Sequence, residues 1–212
     1  MKSNIKKRGA LLREKILWAA SEVFLEAGYE RASMDVVASR AETTKRTLYA
    51  HFANKEALFL AVFDYLQGFF LRQLGTPETY SEDPAEALVL FCGRFLEKLL
   101  WEGAIRMCRL YASEAARFPD KSAQGCYAVF TEVEIRLGAY LKLKFGLSSR
   151  ASAEAAQRLL GQVLHPRFPR ALFGADPLLE SFDEKGLSPS FNLRPIRKAV
   201  KILLASLNQP SE

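Results

Sequence analysis

Five side chains that can donate hydrogen bonds to a polyanion lie within one short stretch of the sequence: Thr44, Lys45, Arg46, Tyr49 and His51. Lys45 and Arg46 can donate to the guanine edge in the major groove of DNA, and the Thr44 hydroxyl can donate to a phosphate. Tyr49 and His51 lie one turn further along, where they can donate to phosphates beside the groove. Each residue alone also fits an ordinary solvated or core position, but their joint spacing indicates contact with duplex DNA.

Such side chains must be presented by a short helix. A helix-turn-helix places the N-terminal residues of its second helix in the major groove. The sequence predicts this unit, because Ser33 can cap a first helix over about residues 34–40 and Thr43 or Thr44 can cap a second helix. The tight turn between the two helices contains Glu42.

Helices on both sides of this unit complete a domain. Apolar residues at steps of three and four predict a first helix that stops at Gly28: Leu12, Ile16, Ala20, Val23, Phe24 and Ala27. Asn54 is expected to cap a long third helix, whose free N–H groups beside Lys55 can seat a phosphate. Residues 1–55 are therefore predicted to form a helix-turn-helix DNA-binding domain.

The charge distribution is compatible with a polyanionic partner. The chain has a net charge of +6 and a pI of about 9.3. Residues 1–60 hold eleven Lys/Arg against seven Asp/Glu, a net charge of +4, whereas the other 152 residues carry a net charge of +2. The alternative interpretation is that the excess charge only keeps the surface soluble. The local motif has to decide between a polyanionic partner and such a surface.

Residue patterns typical of other function classes are missing from the sequence. The chain contains two histidines and three widely spaced cysteines, with no metal-ligand spacing, nucleophile elbow or Gly-rich phosphate loop. We therefore expect no enzyme activity, no catalytic residue, no metal site and no cofactor. The odd cysteine count is typical of a reduced cytosolic protein, charges interrupt any signal-peptide core, and no apolar run could cross a bilayer, so we expect a cytoplasmic protein without membrane contact.

Helical spacing continues to the end of the sequence. Asp83 followed by Pro84 is typical of a helix start, whereas Pro166 and Pro169 are expected to kink or end the helix before them. We find no strand alternation of useful length. The pattern predicts an all-α protein of about nine helices, in which residues 56–212 form a larger helical domain.

One stretch resembles the DNA-binding signature of TetR/AcrR-type bacterial regulators: Thr47–Phe59, TLYAHFANKEALF. Ala19–Tyr29 also resembles the family's first helix and its end, and the similarity extends over about residues 10–65. The family usually has glycine in the turn where this chain has Glu42. The resemblance implies the following contacts with DNA: Tyr49, His51 and Lys55 to phosphates, Thr44, Lys45 and Arg46 to bases, and Ser33 in support of the backbone.

The resemblance also implies that the rest of the chain dimerises and senses a small molecule. Arg109–Asp120 resembles the C-terminal domain of AefR-like members. The region is rich in aromatic residues, which can line a ligand cavity or build a plain helical core. We predict these ligand-binding residues: Phe91, Phe95, Trp101, Arg109, Tyr111 and Tyr127. Further polar candidates are Arg94, Arg106, Glu114, Gln124 and Glu132.

Two apolar stripes near the C-terminus predict an intersubunit four-helix bundle. They contain the following expected interface residues: Leu160, Val163 and Leu164 in one helix, and Val200, Leu203 and Leu207 in the other. Leu203→Arg should then give monomers.

The sequence therefore predicts a homodimeric transcriptional regulator that binds a palindromic double-stranded operator. We expect a repressor that releases its operator when a small-molecule effector binds. One alternative is an all-α small-molecule-binding or interaction module without DNA binding, which the N-terminal charge bias disfavours. An all-α enzyme is the other alternative, and the missing catalytic motifs oppose it.

Overall fold

A computed structural model describes residues 2–183 and 186–207, with side chains described for residues 8–118, 127–183 and 186–207. Within these residues the fold is all-α, as predicted, and β-type pairing is limited to one bridge between Trp101 and Leu179. The ten helices are α1 (Lys2–Arg31), α2 (Met34–Arg40), α3 (Lys45–His51), α4 (Lys55–Leu74), α5 (Pro84–Leu100), α6 (Glu102–Glu114), α7 (Pro119–Phe145), α8 (Ser149–Leu164), α9 (Arg167–Leu172) and α10 (Arg194–Leu207). A short 3₁₀ turn, Pro77–Thr79, follows α4.

Side-chain caps start the three helices that follow α1. Ser33 accepts a hydrogen bond from the Asp35 N–H at 3.2 Å, and Thr44 accepts one from the Thr47 N–H at 3.1 Å. Asn54 caps α4 in the same way at 2.8 Å. These oxygens satisfy N–H groups that have no partner inside the helix, so the predicted helix starts are confirmed.

The helical path of α1 breaks at Gly28, which has φ 73° and ψ 171°. A residue with a Cβ atom is strained at such a positive φ, whereas glycine adopts it readily. The predicted stop at Gly28 is therefore present, and the chain continues past the kink to Arg31.

The chain divides into two compact units. The first contains the residues up to Phe70 together with Leu110–Gly125, and the second contains Leu71–Arg109 and the residues from Cys126 onward. The sequence-based boundary after residue 55 remains a prediction about which part of the chain binds DNA.

The core of the first unit is a cluster of aromatic rings around Phe59. The Phe59 side chain is fully buried, and its ring centroid lies 4.9 Å from Phe24, 4.8 Å from Tyr29, 4.4 Å from Phe63 and 5.5 Å from Phe118. Phe118 comes from the segment that connects α6 to α7. The connecting segment is therefore part of the core of the first unit, which also contains the helix-turn-helix.

In the second unit, α5 is buried along most of its length, and α8 and α10 pack against it and against each other. This packing buries most of the two apolar stripes that the sequence assigns to a dimer interface: Leu160, Val163, Val200 and Leu203 are buried, while Leu164 and Leu207 are half-buried. A charge at Leu203 is therefore expected to unfold the unit instead of only separating two subunits.

The two prolines after α8 shape the chain as predicted. The helix ends at Leu164, and the short α9 begins at Arg167. Pro169 is tolerated inside α9 because it is the third residue of the helix, where the backbone N–H has no intrahelical partner.

Candidate nucleic-acid interface

Helix α3 presents one face to solvent and buries the other. Leu48 is fully buried and anchors the helix, whereas Lys45, Arg46 and Tyr49 are exposed, Tyr49 by 42%. We call the exposed set of Thr44, Lys45, Arg46 and Tyr49 the α3 face. Its side chains lie at the start of the helix, which is where a helix-turn-helix contacts base edges.

The two cations of the α3 face differ in their surroundings. The Lys45 ammonium lies 2.9 Å from a carboxylate oxygen of Asp35 on α2, and this hydrogen-bonded ion pair raises the pKa of Lys45. Arg46 makes no hydrogen bond or ion pair with the residues that the structure describes. The guanidinium of Arg46 is therefore the donor group most available to a base edge, and Lys45 also holds α3 against α2.

Thr44 and Ser33 are occupied as helix caps. The Thr44 hydroxyl oxygen accepts the Thr47 N–H and lies 2.8 Å from the Thr47 hydroxyl. Ser33 accepts the Asp35 N–H and is half-buried. Both side chains fix the backbone of the two short helices and thereby orient the α3 face.

Lys55 lies at the start of α4, but its side chain reaches back to the end of α1. Its ammonium donates to the carbonyl oxygens of Tyr29 at 2.9 Å, Glu30 at 2.9 Å and Ala32 at 3.3 Å. It also lies 4.7 Å from the centre of the Tyr29 ring. Because an ammonium has three donors, a phosphate contact by this side chain would replace one of these hydrogen bonds. The sequence reading missed this link between α1 and α4.

His51 ends α3 and is half-buried beside Phe52, at 6.3 Å between ring centroids. Tyr49 lies on the exposed side of the same helix. The two predicted phosphate donors therefore differ in access to solvent, and Tyr49 is the more accessible of them.

Glu42 occupies the turn in the left-handed region, with φ 50°. Its carboxylate forms a hydrogen-bonded ion pair with Lys15 of α1, which holds the pKa of Glu42 below its ordinary value. Arg40 in α2 makes a second link to α1 through a two-pronged contact with Glu26 at 2.8 and 2.9 Å. These ion pairs link the turn and α2 to α1. Lys15 was not among the residues singled out from the sequence.

The predicted ligand-binding residues belong to both units and have different surroundings. Tyr111 belongs to the first unit and stacks on Phe63 at 3.4 Å between centroids, whereas the others belong to the second unit. Tyr127 is exposed, and Arg109 donates to the carbonyls that end α9. Phe91 and Phe95 are fully buried in α5, and Trp101 packs against Phe182.

The further polar candidates also have separate environments. Arg94 is buried in an ion pair with Glu97, Arg106 pairs with Glu102, Glu114 pairs with Arg117, and Glu132 pairs with Arg136. The Gln124 side chain lies outside the described residues.

Two kinds of site are not found among the residues that the structure describes. In that part of the chain, no group of three or more His, Cys, Asp or Glu side chains could hold a metal ion. None of the described helices combines the length and apolar character needed to cross a membrane.

Two short helices joined by a tight turn, with an exposed basic start to the second helix, define a helix-turn-helix of the kind found in DNA-binding domains. Residues 16–62 match the model of the family described as bacterial regulatory proteins, tetR family. This segment of the chain belongs to that family, and the resemblance inferred from Thr47–Phe59 is confirmed.

One relative is similar to this chain in sequence over a short segment. The transcriptional activator FasR of Mycolicibacterium smegmatis is 52% identical over 50 residues, which cover 24% of this chain and 23% of FasR. The chain therefore matches less than a quarter of that relative's length.

Similarity in structure extends over nearly the whole chain. A TetR-family transcriptional regulator from Mesorhizobium loti superposes with a TM-score of 0.79 at 24% identity, covering 94% of this chain and 98% of the other. The flavonoid-responsive regulator FrrA superposes with a TM-score of 0.68 at 26% identity, covering 96% and 100%. Both show the same all-α fold.

Proposed function

We propose that this protein is a transcriptional regulator that binds an operator in duplex DNA through the α3 face. The observation that carries the proposal is the exposed, basic start of α3 within a segment that matches the tetR family. The alternative is a helical binding module that does not contact DNA. It would not explain the exposed, basic start of α3. The ion pair between Lys45 and Asp35 supports the proposal because it holds the reading helix in a fixed orientation.

The residues of the interface have different proposed roles. Arg46 reads a base edge, because Arg donors match the paired acceptors of guanine. Lys45 and Thr44 contribute close to it, and Tyr49 and His51 donate to phosphates. Ser33 and Lys55 act mainly by positioning α2 and α4, since both side chains are occupied by backbone groups.

Operator binding is tested with DNA from upstream of the protein's own gene. In a gel-shift titration we expect a discrete complex, and footprinting should show two half-sites in palindromic arrangement, about 34–36 Å apart or a larger whole number of turns. Binding with equal affinity to unrelated DNA, or no binding, would favour the module without DNA contact.

A palindromic operator requires a homodimer, and we propose that its interface lies on the outer side of α10. The two apolar stripes named from the sequence are largely occupied inside the protomer. Ile202 differs from them, because 49% of its surface is exposed on α10. Ile202 lies on the helix that carries one of the two predicted stripes, so it is available for contact with a second copy.

Ile202→Arg is expected to give a monomer with an unchanged helix content, because a guanidinium cannot be buried at an apolar contact without a partner. Light scattering measures the mass, and circular dichroism measures the fold. Leu143→Arg on α7, where the apolar side chain is also exposed, is the matched control and should stay dimeric. If Ile202→Arg remains a dimer, the interface lies elsewhere.

We also propose that a small molecule controls operator binding and that the unliganded protein represses transcription. The relative FrrA is named flavonoid-responsive, which supports control by a ligand. FasR is named an activator, so the sign of regulation has to come from a reporter assay. We expect reporter expression to rise when the gene for this protein is deleted.

The connection between α6 and α7 is the proposed route of control. Residues Leu110–Gly125 belong to the first unit, while the helices on either side continue into the second unit. Phe118 packs on Phe59 and Tyr29, so a shift of this segment would disturb the core under the helix-turn-helix. A ligand needs to favour only one of two such arrangements to change operator affinity.

A further inference from the structure

The part of α7 that belongs to the second unit carries an exposed side chain at every fourth residue: Thr131, Ile135, Ala139 and Leu143. Side chains four residues apart lie on one face of a helix, so these four form a single row, which we call the α7 ridge. Ile135 is 59% exposed and Leu143 is 72% exposed. Single exposed apolar side chains are ordinary, whereas a continuous apolar surface marks a place of contact with another molecule.

A groove between α7 and α8 runs beside the α7 ridge. It has a volume of about 270 Å³, and three residues of the ridge border it, Thr131, Ile135 and Ala139. Small residues on both helices, Gly138 on α7 and Ala153 on α8, keep the groove open. An apolar side chain that projects from another molecule can therefore enter the groove and pack against Ile135.

The α7 ridge is complementary to itself when a second copy packs on it in the antiparallel direction. A two-fold axis level with Leu137 places Ile135 of one copy opposite Ala139 of the other, and it places Thr131 opposite Leu143. Each of these pairs joins a large side chain to a small one, which lets two helices approach closely. Because Thr131 borders the groove, Leu143 of the second copy can enter it.

The same register brings opposite charges together, Glu132 of one copy and Lys142 of the other. The Glu132 side chain is 40% exposed, and its Oε1 atom accepts a hydrogen bond from Arg136 at 2.9 Å. The Lys142 ammonium donates to the Ser149 hydroxyl at 2.9 Å and has two further hydrogens. A carboxylate can accept from more than one donor, so neither of these contacts prevents an ion pair between the copies. Two-fold symmetry forms this ion pair twice.

We infer that the α7 ridge is a contact surface for a second copy of this chain, in which two α7 helices pack antiparallel about Leu137. The sizes of the facing side chains and their charges both favour this occupant. The contact goes beyond the proposed function, because it is additional to the dimer contact on α10 and needs no DNA. One helix from each copy buries a small area, so the contact is weak and joins two dimers at high protein concentration.

Sedimentation of the full chain without DNA, over a wide range of protein concentration, measures this contact. We expect the mass found at low concentration to double at high concentration. Leu143→Arg should abolish the doubling, because it brings a charge to the apolar groove. The variant should keep its helix content and its low-concentration mass, since this side chain is exposed. A constant mass in the unchanged chain would overturn the proposal, as would a doubling that survives in Leu143→Arg.

Lys142→Glu tests the ion pair and is expected to weaken the association about tenfold, because two attractive pairs become repulsive. Lys144→Glu is the matched control, since it makes the same charge change at an exposed lysine of the same helix. Lys144 lies about 200° around α7 from Lys142, away from the ridge, and its variant should associate like the unchanged chain. Equal weakening in the two variants would overturn the proposed register.

A pair of cysteines tests the antiparallel direction. In the double variant Thr131→Cys/Leu143→Cys, the two positions lie about 18 Å apart along one helix, too far for a disulfide within a chain. The register places them opposite each other between two copies. Oxidation should therefore give a covalent dimer on a non-reducing gel. The two single variants, which keep the chain's three own cysteines, should not give it.

A parallel contact, or a different protein as the partner of the α7 ridge, would leave the double variant without a cross-link and overturn the proposal. These measurements are made without DNA. A failure of operator binding would overturn the proposed function while leaving the sedimentation and cross-linking results interpretable.

Discussion

Phe59→Ala is expected to lower the free energy of unfolding by about 3–5 kcal/mol, the usual cost of removing a fully buried phenylalanine. The ring contacts Phe24, Tyr29, Phe63 and Phe118, so its removal opens a cavity where α1, α4 and the segment before α7 meet. Urea denaturation followed by circular dichroism measures the loss. Operator binding should fall with it, because the helix-turn-helix rests on this core.

The matched control for this variant is Phe69→Ala on the same helix. Phe69 is an exposed phenylalanine whose ring meets only the edge of Trp18, at 6.4 Å between centroids, among the aromatic contacts of the described residues. Its loss should cost at most about 1 kcal/mol. A similar cost for both variants would mean that Phe59 is not the centre of the core.

Arg46→Ala is expected to weaken operator binding by about thirtyfold or more, because it removes a base contact of about 1–3 kcal/mol from each of the two half-sites. The side chain is exposed, so helix content and thermal stability should stay unchanged. Fluorescence anisotropy with operator and with unrelated DNA measures the effect. Affinity for unrelated DNA should fall much less, because a base contact carries sequence information and a phosphate contact does not.

Two comparisons make the Arg46 result specific. Lys45→Ala should have a smaller effect on operator affinity, since Asp35 already holds the Lys45 ammonium. Arg72→Ala removes an exposed arginine near the end of α4 and should leave the affinity unchanged. An Arg46→Ala protein that binds its operator normally would remove α3 as the reading helix.

The helix starts and the helix-turn-helix could be predicted because they depend on neighbours in sequence. Ser33, Thr44 and Asn54 cap their helices through oxygens that bond N–H groups two or three residues away. Gly28 likewise acts through its own backbone angles. Such local interactions are encoded by residue type and spacing alone.

Contacts between distant segments could not be predicted. Lys55 is typical of a DNA-contacting cation in sequence, yet its ammonium caps carbonyls that lie 23 to 26 residues earlier. Leu203 belongs to an apolar stripe that could face either a partner subunit or its own core, and periodicity alone does not separate these cases. Phe182 contacts Arg94, and these two residues of the second unit are far apart in the sequence.

The salt dependence of operator affinity tests the central claim most directly. If α3 and its surroundings neutralise several phosphates, the logarithm of the association constant should fall linearly with the logarithm of salt concentration, with a slope of about −0.9 for each phosphate contacted. The two cations of each α3 face, Lys45 and Arg46, give four positive charges in a dimer, which predicts a slope as steep as about −3.6. An affinity that stays constant from low to physiological salt would contradict binding through this basic surface.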